Sequence, residues 1–287
     1  PDWNSDRTSI LIKPGVYMGQ FIVPPSKTNL TMLGSGAEHT ILSYALTVHD
    51  PIPPNVPIGL NGYGFVALGD GFQAADLTFR QLAGDHGQAI ALRVDADRVV
   101  LSHCRMEGWQ DTVRLERGRH YLRDCRIEGR VDYLYGGAAA VFEECELHTK
   151  NDGYVTAAST PAEQKTGYVF LRCRVTGTQP ARVYLGRPWR PHAHVAWIDC
   201  EMDESVRPEG WDNWRNPQNE QTVRYEEFGS RGPGATADRR VAWSRQLTEV
   251  EAGRYRPDEL LRGEDGWSPQ ADWETLRRAR EGSQRAQ

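Results

Sequence analysis

The sequence predicts an all-β chain wound as a parallel β-helix, a solenoid of short strands, and three observations carry that prediction. Five segments repeat one phrase: VVLSHCRMEG, HYLRDCRIEG, AVFEECELHT, YVFLRCRVTG and VAWIDCEMDE. Their cysteines, Cys104, Cys125, Cys145, Cys173 and Cys200, stand 21, 20, 28 and 27 residues apart, the near-regular recurrence that marks a stacked repeat. Within each phrase the cysteine alternates with an apolar residue two positions on, Met106, Ile127, Leu147, Val175 and Met202. A period of two puts both side chains on one face of a strand. Finally, 28 glycines and 17 prolines in 287 residues, set in long polar turns, suit many short strands better than a helical bundle.

The elements follow in order. A first rung is expected at residues 9–12, so close to the start that the end of the solenoid has little chain to cap it. Residues 30–32 and 77–79 repeat the phrase with leucine in the cysteine position. The five cysteine rungs come next. Residues 203–240, rich in Gly, Pro, Asn and Trp, read as long loops flanking a surface groove. Beyond about residue 245 the phrase is lost, and residues 256–263 and 270–281 read as helices. The expected division is a β-helix over 1–245 and a loop and helical segment over 246–287 that packs on it. Rungs about 4.8 Å apart would hold stacked cysteine Cβ atoms farther apart than a disulfide's usual 3.5–4.5 Å. A ladder of thiols behaving as small hydrophobes is therefore expected, and the odd count already forbids complete pairing. A sandwich of coincidentally spaced strands is the alternative. It would not put the five cysteines in one line.

Charge and motifs exclude several functions. Lys and Arg number 34 against 39 Asp and Glu, a net charge of -5, without the basic excess of a nucleic-acid partner. No apolar run approaches the roughly 18–20 residues that span a bilayer. There is no G-x-S-x-G elbow, HExxH or phosphate loop. His192 and His194 form an H-x-H without a third ligand nearby, so no metal and no cofactor are expected. Inward-facing cysteines are poor nucleophiles.

Stacking makes a geometric statement about the carboxylates. Asp111 lies seven residues after Cys104 and Asp132 seven after Cys125, so both should fall on one line, one rung apart. Two such carboxyls do not ionise independently: one is driven up and serves as an acid, leaving the other as base or nucleophile. Register alone also selects Asp152, seven after Cys145, and any of the three also suits a turn-capping role. Gln110 and, one rung earlier, Gln88 are neutral amide donors suited to a developing oxyanion. Arg187 offers a planar fork for a carboxylate. Trp109, Trp189 and Trp211 offer flat faces for sugar rings.

These residues resemble a known family. The segments IKPGVY, LGSGAEHTIL, GFQAADLTFRQLAG, QAIALRV, GWQDTV, GRVDYLYGGAAAVFEEC, VYLGRPW, PEGW and RGPGA run in the order of the pectin methylesterase (pectinesterase) carbohydrate esterases, over about residues 9–245. The resemblance implies a right-handed parallel β-helix that hydrolyses methyl esters of polygalacturonate to pectate and methanol. It implies Asp132 as nucleophile, Asp111 as acid and then base, Gln88 and Gln110 as oxyanion donors, and Arg187 as partner of Asp132. It favours this pair over Asp152. Trp189, Trp211, Trp109 and Tyr133 are the substrate-binding candidates. Methyl-esterified polygalacturonate is the expected partner, the protein a monomer, and its location extracellular on the strength of the substrate alone. The chain departs from the family at Tyr133 (usually Phe), Gly137 (usually Asn) and Gly19 (usually Glu), and has less chain than usual before the first motif. An esterase or thioesterase for another acyl ligand and a non-catalytic polysaccharide-binding β-helix are the alternatives. A Ca²⁺-dependent lyase ranks below them, since the acids here stand beside neutral amides.

Overall fold

A computed structural model describes residues 2–54, 57, 59–180 and 182–286. Among them the strands form three all-parallel sheets of ten, eight and seven strands. Seven turns of chain each give one strand to each sheet, the eighth gives strands to two of them and the last two to the ten-stranded sheet alone, and the whole winds as a right-handed parallel β-helix. The corner between the ten- and eight-stranded sheets is made by one residue in the left-handed region: Asp76, His103, Asp124, Glu144, Arg172 and Asp199 all have φ between 52° and 57°. That residue precedes Leu77 or a cysteine each time, so the sharp corner and the polar-residue-then-cysteine phrase are one feature.

All five cysteines are buried and free. Each thiol points to a carbonyl one rung back in the ten-stranded sheet, at 3.5 Å for Cys104 to Ala74, 3.7 Å for Cys125 to Leu101, 3.5 Å for Cys145 to Leu122, 3.3 Å for Cys173 to Phe142 and 3.5 Å for Cys200 to Phe170. The position belongs to a buried small group that can still offer a weak hydrogen bond. Leu77 occupies this line as expected, its neighbour Thr78 pairing with Arg105. Residues 30–32 do not. Thr31 pairs with Gln73 and Met32 with Ala74 in the ten-stranded sheet, and Thr40 stands in the cysteine line instead. The corner after Leu33 is a longer loop in this turn, which breaks the spacing on which the phrase depends.

The interior is filled by aromatic stacks in register. Phe142 pairs with Phe170 and Phe170 with Trp197, the rings 4.6 and 3.8 Å apart and nearly parallel. Strands of the ten-stranded sheet such as Ala139–Glu143, Tyr168–Leu171 and His194–Ile198 are buried on both faces, hence their unbroken apolar runs. Their outer face is covered by three helices, Glu249–Ala252, Pro257–Leu261 and Pro269–Ala286, through Ala252, Leu261 and Leu276, and by Leu247 and Trp267 from the segments that lead into them. Trp273 on the last helix donates to Ser102 at 3.1 Å, and Arg280 donates to Asp76 at 2.7 Å. Within residues 203–240 lies a strand that the sequence reading missed: Arg224–Phe228 pairs with His194–Ile198 as a further rung. At the other end, Thr8–Leu11 begins the solenoid with Leu11 and Ile10 half exposed.

Candidate active site

Two corner residues between the eight- and seven-stranded sheets, Asp111 and Asp132, adopt left-handed φ values of 64° and 52°. Aspartate tolerates this region better than most residues, and it is the same kind of corner that turns the chain at Asp76 and Asp124. The pairing of Val113 with Leu134 puts Asp111 directly one rung from Asp132. The next residue on the line is Tyr154, because Leu134 pairs with Thr156. Asp152 falls out of line. Gly129 and Thr149 are paired, but the corner from Thr149 to Thr156 is two residues longer than that from Gly129 to Leu134. Asp152 instead pairs with Arg130 at 2.8 Å in solvent.

The two carboxyls differ in environment although each is only 6% exposed. Asp132 accepts a bidentate grip from Arg187, 2.8 Å from Nε to Oδ1 and 2.7 Å from Nη2 to Oδ2. Burial pushes Asp132 above the usual carboxylate range, and the Arg187 fork opposes that push. Asp111 has no such fork. Burial first, and the Asp132 charge second, raise it to about 7, against a hydrogen bond from Gln88 Nε2 to Asp111 Oδ2 of 3.0 Å. The arrangement holds Asp111 far above the ordinary carboxylate range and gives the arginine partner to Asp132 alone.

Gln88 and Gln110 bridge as consecutive rungs. Both line a cavity of about 420 Å³ with Asp111, Asp132, Arg187 and Trp189. Among the described residues the Gln110 amide has no hydrogen-bond partner, so its donors are available to a ligand. The cavity also takes in Trp214, Tyr135, Tyr63 and Arg114, which the sequence reading left out. Trp189 stands edge-on to Tyr135 at 5.7 Å, and Arg114 Nη1 donates to the Tyr63 hydroxyl at 2.7 Å. Tyr135 was accessible to alternation, three residues beyond Asp132 on Leu134–Gly136. Trp214 was not, since only loop geometry brings it in.

Three aromatic candidates lie elsewhere. Tyr133 is fully buried in the solenoid interior, its hydroxyl 3.1 Å from Thr149 Oγ1, because the left-handed corner at Asp132 turns the next side chain inward. Trp211 is 1% exposed; it bridges to Gly186 as an extra rung, stacks on Tyr225 at 4.2 Å and donates to Glu227 at 3.0 Å. Trp109 is half-buried beneath Lys150 and outside the cavity lining. His194 spends Nδ1 on the Gly167 N–H at 2.8 Å. The Gly137 carbonyl accepts a hydrogen bond from Gln164 Nε2 at 2.9 Å.

Fold and cleft together present a parallel β-helix with two buried carboxyls beside a surface cavity. Comparison with known proteins gives the family. The pectinesterase family model matches residues 1–264. Pectinesterase 31 of Arabidopsis thaliana is 41% identical over 263 residues, covering 89% of this chain and 83% of that protein. The solved pectin methylesterase from carrot has a TM-score of 0.86 at 31% identity, over 92% of this chain and 87% of its own. Pectin methylesterase PemA from Erwinia chrysanthemi gives 0.79 at 25% identity, over 93% and 90%. This chain belongs to the pectinesterase family. It is a carboxylic ester hydrolase whose substrate is methyl-esterified polygalacturonate and whose products are pectate and methanol.

Proposed function

We propose that Asp132 is the nucleophile and Asp111 the proton donor and acceptor in this reaction. The reading rests on one observation: two buried carboxyls one rung apart, with the arginine fork on Asp132 only. An ionised Asp132 Oδ attacks the ester carbonyl carbon, and the oxyanion accepts hydrogen bonds from the Gln110 amide and from the second N–H of Gln88. The tetrahedral intermediate collapses as protonated Asp111 gives its proton to the methoxy oxygen. Methanol leaves, and an anhydride joins substrate and Asp132. Asp111, now ionised, takes a proton from water; the hydroxide attacks the substrate carbonyl and expels Asp132 as carboxylate, which Arg187 receives. Asp111 ends protonated, and one water has been consumed per methanol released.

Trp189 and Trp214 form the walls on which uronate rings rest. A solenoid with its groove on one surface works as a monomer, and a cell-wall polymer as substrate suits an extracellular location. No helix among the described residues is long and apolar enough to cross a membrane. The test is methanol release from highly methylated pectin by wild type and Asp132→Asn at equal folded concentration. Wild-type release with loss in the variant is expected. Retained turnover in Asp132→Asn would remove Asp132 from the nucleophile's role.

A further inference from the structure

Arg187 is held on three sides. Its edge grips Asp132, while one face lies on the Tyr154 ring at 3.8 Å and the other on the Trp214 ring at 3.9 Å. The stack continues outward. Tyr154 lies parallel to its register partner Tyr184 at 5.2 Å, and Arg207 covers Tyr184 at 4.7 Å. Trp214, Arg187, Tyr154, Tyr184 and Arg207 thus form one column of flat groups, running from the cleft wall to the long loop. Trp214 and Arg215 both take left-handed φ, 60° and 56°, so the loop accepts backbone cost where it sets Trp214 on the guanidinium.

Tyr154 is no part of the cavity lining, and no hydrogen bond of its hydroxyl occurs among the described residues. What it offers is a ring face. It stands on the line of Asp111 and Asp132 one rung further on, and its ring face lies against the guanidinium that reaches both Asp132 oxygens. We infer that Tyr154 is a positioning residue for catalysis: its ring fixes the plane of the Arg187 guanidinium, and through that fork the orientation and ionisation of Asp132. Trp214 alone does not fix the plane, because a guanidinium with one open face can tilt about its long side chain. A cation over an aromatic ring away from bulk water is worth enough to hold it. The inference rests on Asp132 being the nucleophile.

Arg187 from Val183–Pro188 is in contact with Asp132, while Asp111 from the preceding rung, Asp212 from the long loop, Tyr154 from Gly153–Ala158 and Tyr225 from Arg224–Phe228 interact with its charge electrostatically. The interaction that Tyr154 holds in plane is that of Arg187. A looser fork stabilises the carboxylate less, so the acidic limb of kcat/KM, which reports Asp132 in the free enzyme, moves to higher pH.

The experiment compares wild type, Tyr154→Phe and Tyr154→Leu on methylated pectin across pH. Tyr154→Phe keeps the ring and should match wild type in kcat and in profile. Tyr154→Leu should lose roughly fivefold in kcat, leave KM unchanged and shift the acidic limb up by about half a pH unit. In an Arg187→Lys background the Leu substitution should cost nothing more, since its effect passes through the fork. Should the Leu variant fail to fold, Tyr154→Thr places a good strand former there and reads the same quantities. An unmoved profile with full kcat in the folded Leu or Thr variant overturns the inference, as does a change confined to KM or an equal loss in Tyr154→Phe. Asp132→Asn in the same assay separates the two ideas: an active Asn variant defeats the nucleophile assignment, whereas an inactive one beside an indifferent Tyr154→Leu defeats only the role of Tyr154.

Discussion

At Asp111 the protein spends stability on a proton. Its carboxyl titrates at about 7 when folded, against an ordinary value of 3.8. Below about pH 4 it is protonated folded or unfolded. As pH rises, the unfolded chain ionises while the folded one holds its proton, so stability is lost between pH 4 and about 7 and stays lost above. Asp111→Asn removes that titration. The urea midpoint of the variant should therefore draw ahead of wild type as pH is raised from 4 to 8, while methanol release collapses. A midpoint difference that does not change with pH would mean that Asp111 is no proton reservoir. Residue positions were legible where register governs them. The cysteine spacing located Asp111 and Asp132, and misplaced Asp152 only because one corner is two residues longer. Trp214 was illegible, since a loop that turns through two left-handed residues has no period to read.

Among the elements, the long segment after Met202 does more than flank the cleft. It contributes the strand Arg224–Phe228, and a buried ion pair ties its two arms together. Arg240, 2% exposed in its side chain, meets both oxygens of Glu227 and donates to the carbonyls of Arg207, Pro208 and Gly234. Trp211 donates to the same Glu227, three residues before Trp214 covers Arg187. Arg240→Leu leaves Glu227 buried without its counter-charge, with Trp211 as its remaining donor, and should cost about 3–5 kcal/mol in urea unfolding, with activity falling as Trp214 loses its seat. A cost under about 1 kcal/mol, the range of a surface pair, would show that water reaches Glu227. The strand escaped the sequence reading because RYEEF shows little apolar alternation: Tyr225 faces the core, while Glu227 is buried only by virtue of Arg240. The short helix Glu249–Ala252 also escaped, although its capping box, Thr248 with Glu251, was written in the chain.

As a whole, the molecule is a stack in which each rung rests on its neighbours, so local stability follows position along the axis. Among the described residues, the turn of residues 8–23 stacks on one neighbour. Ile10, Leu11, Val16 and Met18 are 45–62% exposed, whereas inward residues from Phe65 onward are essentially buried. Amides of residues 8–23 should exchange with solvent well before those of residues 99–171, read by hydrogen exchange at neutral pH. Uniform protection along the axis would instead mark a single cooperative unit. The overall architecture was the most legible level, because a repeat states itself many times and tolerates an error in any one copy. The thiol ladder carries a last consequence. Each sulfur is committed to a carbonyl of the rung behind it, so winding the chain asks for no oxidant and no pairing has to be chosen or corrected. The finished solenoid owes none of its strength to the redox poise around it: reducing and oxidising surroundings meet the same closed core.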